Sequence, residues 1–267
     1  MARTFAPDKQ TDPQSEKLDP RVQQSYEAVS RTLEETPIGK LLTNQERTAL
    51  SLPLGAWSTS PQIEPRWESF GTLLWSLGIV SHIPDYHSPY PREILFKATG
   101  IIPAHPSTVI NFTQHFDSHT TTTTLVPPDS FMHEVNRAEA WYWRSKAQVL
   151  VDLQTFLKRD GPDVEQAKKK IPQALQKSLQ TLPTALSQAS LRAHQDGLIP
   201  SRIKDDFGVG DVPYAELGHH DLGLVASIAQ DRLAALGWLA GVREWDVGKD
   251  EEVPFVNPLG SLWTPKE

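Results

Sequence analysis

Cysteine is absent from this 267-residue chain. Its absence excludes a disulfide framework, thiolate metal ligation and a cysteine nucleophile, and it fits a reducing compartment. Long apolar runs are absent as well, and nowhere does one approach the ~18 residues that a helical membrane span requires. There is no basic excess either. The 26 Lys and Arg side chains are outnumbered by 33 Asp and Glu, for a formal charge of −7, so a phosphate-neutralising surface and a nucleic-acid partner are not expected. Also missing are a G-x-x-x-x-G-K-S/T loop, a G-x-G-x-x-G turn after a strand, a G-x-S-x-G elbow and an H-E-x-x-H helix. ATP, GTP and nicotinamide cofactors therefore find no motif to hold them, and no cofactor is expected.

What the chain does have is 38% apolar residues, 22 prolines and eight tryptophans. That balance describes a soluble globular protein with polar ends, expected inside the cell in the cytoplasm or nucleus. Residues 1–20 carry almost no apolar side chains and mix both charge signs, so burial cannot offset their ordering entropy, and they read as a flexible arm. Residues 21–247 read as one helical domain, and 248–267 as a proline-rich tail.

Within the domain, helical spacing recurs at intervals. Pro20 opens a segment in which Val22, Tyr26, Val29 and Leu33 share a face. A short helix fits 44–50, and residues 51–65, with three prolines and a glycine, read as a loop. Trp67, Phe70, Leu74 and Leu77 predict a helix over 66–77, stopped by Gly78. A long helix is expected over 131–159, with Met132, Val135, Tyr142, Val149, Leu153 and Phe156 on one stripe. Two further helices fit 163–180 and 183–195, with Lys168, Lys169 and Lys170 as a solvated face. A Gly/Pro loop then leads into a last helix over 219–240, where His219, His220 and Asp221 stand in the capping region. Between 81 and 129 prolines interrupt any helical period. There Ile110, Phe112 and Phe116 alternate with polar residues ahead of a threonine run, which predicts a strand or hairpin over 108–125. The expected class is mainly α with a small β element, α+β being the alternative.

Three of these segments carry a shared pattern: RWESFGTLLWSLGIV at 66–80, EVNRAEAWYWRSKA at 134–147 and DRLAALGWLAGVREWDV at 231–247. Together they resemble the bacterial and fungal family catalogued as "domain of unknown function 4272". Trp67, Glu68, Leu74, Trp75, Leu77 and Gly78 match its first block, with the arginine displaced to position 66. Arg232, Ala235, Leu236, Trp238, Leu239, Trp245 and Asp246 match its third, with Asp231 where glutamate is usual. In the middle block Glu139 resembles the acidic position, while Trp143 stands where arginine is expected. The resemblance implies a shared fold and brings no activity with it.

Read physically, the same blocks place charge on apolar helical faces. Val225, Ile228, Arg232, Leu236 and Leu239 share one stripe, Glu139 shares that of Val135, Tyr142 and Val149, and Glu68 adjoins Trp67. A buried charge needs a partner, so Arg232 is expected to pair with Glu68 or Glu139, with tryptophan N–H groups completing the network. Such a network holds helices together. Open to water, it would instead be a cleft where Glu68 or Glu139 acts as acid or base and Arg232, Trp75, Trp143, Trp238 and Asp246 hold a ligand. A second constellation, His115, Asp117 and His119, would project from one face of a strand and could ligate a divalent metal, with His219 or His220 as a distant third histidine. The leading expectation is a non-catalytic helical module that binds a protein partner. The rival is an enzyme or small-ligand binder built on the Glu/Arg cluster or, failing that, on the metal.

Overall fold

The computed structural model describes residues 20–35, 37–52, 66–102, 105, 107–115 and 125–245. The expected arm (1–19 here), most of the loop at 53–65, the threonine run and the tail from 246 onward lie outside the described residues. Ten α-helices are described: α1 (Pro20–Glu35), α2 (Pro37–Leu41), α3 (Asn44–Ser51), α4 (Trp67–Ser76), α5 (Arg92–Thr99), α6 (Ser107–Gln114), α7 (Pro128–Leu157), α8 (Pro162–Lys170), α9 (Gln173–Gln195) and α10 (His219–Leu239). Between α9 and α10 lie three short strands, β1 (Arg202–Ile203), β2 (Asp206–Val209) and β3 (Val212–Pro213), and a 3₁₀ turn at Tyr214–Glu216. The chain is thus mainly α with a small β element. No helix among the described residues is long and apolar enough to cross a membrane.

Contacts divide the chain into two compact units. One contains α1, α2, α3 and α6. There Tyr26 and Val29 are buried on the expected face of α1, and the Tyr26 hydroxyl reaches the Leu50 carbonyl at 3.0 Å. Helix α3 starts with a reciprocal cap. The Thr43 hydroxyl accepts from the Glu46 N–H at 3.2 Å, and the Glu46 carboxylate accepts from the Thr43 N–H at 2.9 Å.

Helix α6 corrects the expectation of a strand or hairpin over 108–125 as far as residue 114; residues 116–124 lie outside the described residues. Its eight residues satisfy strand alternation and helical spacing equally well, and packing against α1 selects the helix. Helix α5 is also unanticipated. Pro91 is its N-cap residue, so a proline taken as a breaker marks a helix start.

The second unit holds α4, α5, α7–α10 and the sheet, with α10 packed on α7 and α4, and α9 on α7 and the strands. Pro128 and Pro162 open α7 and α8. From Ala138 to Arg144 every residue of α7 is buried, so its centre is enclosed on all sides. The ends are not: Met132 is 38% and Val149 67% exposed, and the predicted single stripe fails there.

Two helices expected to divide at 180–183 divide instead at Ile171–Pro172, where the residue before proline is extended. Pro183 lies inside α9. It cannot donate to the carbonyl four residues back, that of Leu179, and the Gln154 side-chain amide of α7 donates to that oxygen at 2.9 Å. The break is thereby repaired from a neighbouring helix.

The β element lies in the segment expected to be a Gly/Pro loop. Strand β2 pairs antiparallel with β1 (Arg202 with Phe207) and with β3 (Gly208 with Pro213). Lys204 and Asp205, at φ 48° and 65°, form the two-residue turn between β1 and β2, whose twist suits a hairpin.

Candidate functional site

Arg232 projects from α10 to Glu68 on α4. Its Nε donates to Glu68 Oε2 at 2.9 Å, and Nη2 lies 2.8 Å from the same oxygen. The other guanidinium donors go to backbone, Nη1 to the Pro84 carbonyl at 2.6 Å and Nη2 to that of Ser88 at 3.1 Å. Glu68 Oε1 accepts from the Tyr90 N–H at 2.8 Å. Tyr86 and Tyr90 lie 4.7 and 5.2 Å from the guanidinium carbon, and Arg232 is fully buried. The expected partner is thus Glu68 rather than Glu139, and backbone carbonyls, not tryptophan N–H groups, complete the set.

The buried face of α4 comprises Glu68, Ser69, Gly71, Thr72, Leu74 and Trp75, and of the predicted apolar stripe only Leu74 belongs to it. It is lined with small and polar residues because another backbone segment crosses it. A Cβ on Gly71 would collide with the Tyr90 ring, so glycine is what lets Tyr90 approach.

A second buried pair was not anticipated, and unlike the first it leaves one donor over: Arg144 Nη1 is buried without a hydrogen-bond partner among the described residues. Arg144, fully buried at the centre of α7, bonds Asp206 with both arms of its fork, Nε to Oδ1 at 2.6 Å and Nη2 to Oδ2 at 2.7 Å. Asp206 also accepts the N–H of Phe207 at 2.8 Å and of Ala215 at 3.0 Å. The Tyr214 ring lies 4.3 Å from the Arg144 guanidinium carbon, and burial pushes the Tyr214 hydroxyl pKa up to about 12. Arg144 follows Trp141, Tyr142 and Trp143 directly, and a guanidinium beside three aromatics was a legible signal of burial.

Trp141 joins the two pairs. Its ring is parallel to that of Tyr86 at 5.7 Å and edge-on to Phe207 at 5.4 Å, with Tyr214 at 6.4 Å. Among the described residues its Nε1–H has no hydrogen-bond acceptor. Trp143 is buried with its ring 6.3 Å from Phe207, and Glu139 is fully buried on α7.

One cleft of about 440 Å³ opens beside this core. Trp75, Ser81, His82 and Ile83 line one side; Asp129, Ser130, His133, Glu134 and Arg137 of α7 line the other. Glu134 is buried, accepts from the Tyr86 hydroxyl at 3.0 Å and lies 3.5 Å from Arg137, which is itself 2.8 Å from Asp85. Burial holds the Glu134 carboxyl above the usual glutamate pKa, against the opposing pull of Arg137 and the Tyr86 hydrogen bond. Burial likewise raises the pKa of Tyr86.

Trp238 corrects another expectation: it is 42% exposed and belongs to no buried network. After α10 ends at Leu239 the chain reverses at Gly241 (φ 72°), whose N–H bonds the Trp238 carbonyl while that of Val242 bonds Gly237. The reversal sets Trp245 edge-on against Trp238 at 5.2 Å, with Arg66 over Trp245 at 5.2 Å. Leu239, placed on the buried stripe from sequence, is 37% exposed here, and Val242 46%.

Of the predicted metal ligands on a strand, only His115 is among the described residues. His115 is exposed in a turn, Asp117 and His119 lie outside the described residues, and so does Asp246. Among the described residues no group of three His, Asp or Glu could hold a metal ion. His219 and His220 occupy the first turn of α10 behind Gly218, the actual N-cap, and Asp221 supplies the first-turn carboxylate. No protein family, curated protein or solved structure matches this chain.

Proposed function

We propose that this protein is a non-catalytic helical module that docks a protein partner through the face formed by Trp238, Leu239, Val242, Trp245 and Arg66. The observation that carries the reading is Trp238, 42% exposed against Trp245 at the end of α10. Trp and Arg are the side chains most enriched where interfaces concentrate their binding energy, and here Trp238 stands in the last turn of α10 while Arg66, the N-cap residue of α4, lies over Trp245. Arg66 makes no ion pair with a carboxylate among the described residues; its Nη1 donates to the Trp245 carbonyl at 2.8 Å. Aliphatic side chains to fill the indole angle and a carboxylate to meet the guanidinium define the partner segment. The net charge of −7 favours a protein over nucleic acid here, and the setting proposed is intracellular. Family membership with the domain the three blocks resemble is part of the same proposal, since those blocks fall on α4, α7 and α10.

The rival use of Glu68 and Arg232 as acid and anion clamp is not supported, because their lone pairs and donors are committed to one another and to backbone. The test is a photo-crosslinking residue at position 242 in full-length protein expressed in its native cell. One crosslinked protein is expected, attached through a segment with aliphatic and acidic residues, and lost in Trp238→Ala and Arg66→Glu. If both variants stay folded and keep the same crosslinked protein, or no protein crosslinks at all, the docking face is refuted.

A further inference from the structure

The cleft between the 81–83 turn and the start of α7 is separate from the docking face, and its charges do not balance. Asp129 and Glu134 contribute two carboxylates to its wall, and Arg137 contributes the one guanidinium. Arg137 is already engaged: its Nη2 is 2.8 Å from Asp85, its Nη1 is 3.5 Å from Glu134, and its guanidinium carbon lies 5.3 Å from the Tyr86 ring centre. Asp85 does not line the cleft, so within it the negative charge exceeds what Arg137 can offset. His82 and His133 complete the titratable lining, and Ser81 and Ser130 add hydroxyl acceptors. Trp75 and Ile83, both buried, add an aromatic and an aliphatic surface to the wall.

We infer that this cleft is a binding site for a small organic cation, a primary ammonium carried on a short aliphatic stem. The ammonium has three donors for Glu134, Asp129 and the serine hydroxyls. Its stem matches Ile83, and the Trp75 indole attracts the charge through its π face. The cleft, of about 440 Å³, has ample room for an ammonium on a short stem. The raised pKa of Glu134 agrees with this assignment, since a carboxylate held in a desolvated wall gains most from an incoming cation. Two further groups act on Glu134 from outside the cleft, Arg232 on α10 and the Tyr86 hydroxyl, and both favour its ionised form. A carboxylate ligand would meet Glu134 and Asp129 as like charges, which disfavours the anion.

The experiment titrates the full chain with butylammonium, with 1-butanol as its neutral isostere and butyrate as its anionic counterpart. Binding is followed by calorimetry and by the imidazole NMR signals of His82 and His133 at pH 7.5. Butylammonium is expected to bind at least about tenfold more tightly than 1-butanol, and butyrate not detectably. Glu134→Gln, which keeps an acceptor for Tyr86, and Asp129→Asn, an exposed position, are each expected to weaken butylammonium severalfold. Equal binding of the alcohol and the ammonium overturns the assignment, and so does preferential binding of butyrate. Undiminished ammonium binding in the folded double variant overturns it as well. Since none of these residues belongs to the Trp238 face, failure here leaves the docking proposal standing, and the reverse also holds.

Discussion

Arg232 and Glu68, 164 positions apart in sequence, meet with Nε 2.9 Å and Nη2 2.8 Å from a single carboxylate oxygen. The second oxygen is thereby left for the Tyr90 N–H at 2.8 Å, so one carboxylate ties α4, α10 and the 84–90 segment at once. Arg144 and Asp206 repeat the scheme between α7 and the β element: a buried guanidinium on a tyrosine ring, and a carboxylate that also receives backbone N–H groups.

Removing one member of the first pair strands the other. Arg232→Ala is expected to cost about 3–5 kcal/mol in urea unfolding, because Glu68 would remain buried without its cation. The double replacement Arg232→Met with Glu68→Leu is expected to recover most of that loss. A cost below about 1 kcal/mol for Arg232→Ala would contradict the closed network.

The second pair holds the strands to the helices. Asp206→Ala leaves Arg144 uncompensated, with an expected loss again of about 3–5 kcal/mol. It also deprives the Phe207 and Ala215 amides of their acceptor. Hydrogen exchange at those two amides should accelerate more than exchange in α1, and uniform acceleration throughout would refute the local assignment.

Gln154 and Pro183 form a coupled pair through the Leu179 carbonyl. Gln154→Ala is expected to cost about 1 kcal/mol by leaving that oxygen without a donor. With Pro183→Ala, which restores an N–H four residues on, the same Gln154 change should cost much less. Strict additivity in the double-mutant cycle would show that the amide does not serve this role.

Alkaline pH should expose the buried phenols. Tyr86 and Tyr214 have pKa values raised by burial, that of Tyr214 to about 12. Above the ordinary tyrosine pKa of about 10, the unfolded chain releases protons that the folded chain keeps. Stability therefore declines as pH climbs from about 10 toward 12, and below that window this contribution is fully retained. Absorbance at about 295 nm should show these ionisations arriving together with loss of near-UV circular dichroism; reversible ionisation of all five tyrosines by pH 10.5 in folded protein would contradict the burial.

Much of the helical plan was legible because amphipathic spacing survives wherever a helix has one wet side. It held for α1 and for α10 up to Leu236, and the buried charges Arg232 and Glu139 stood out against apolar stripes. It faltered in α7, whose centre is wrapped on every side so that no periodicity marks the inner face. It failed at α6, where eight residues satisfy two periods and only contact with α1 decides between them. Trp238 was misplaced for a different reason. Its position on the helix was right, but it stands in the last turn, one residue before the helix ends at Leu239, and is 42% exposed there.

By itself, the sequence determined that this chain is mainly helical, without cysteine chemistry or a known nucleotide motif, and that Arg232 had to find a carboxylate. Those conclusions rest on local spacing and on the cost of burying charge, which any fold must respect. Only the tertiary structure decided that the carboxylate is Glu68, that Arg144 and Asp206 form a second pair, and which indole faces solvent. Partner choice between residues more than a hundred positions apart depends on how helices cross, and crossing is settled by packing at places such as Gly71 against Tyr90 that no periodicity records.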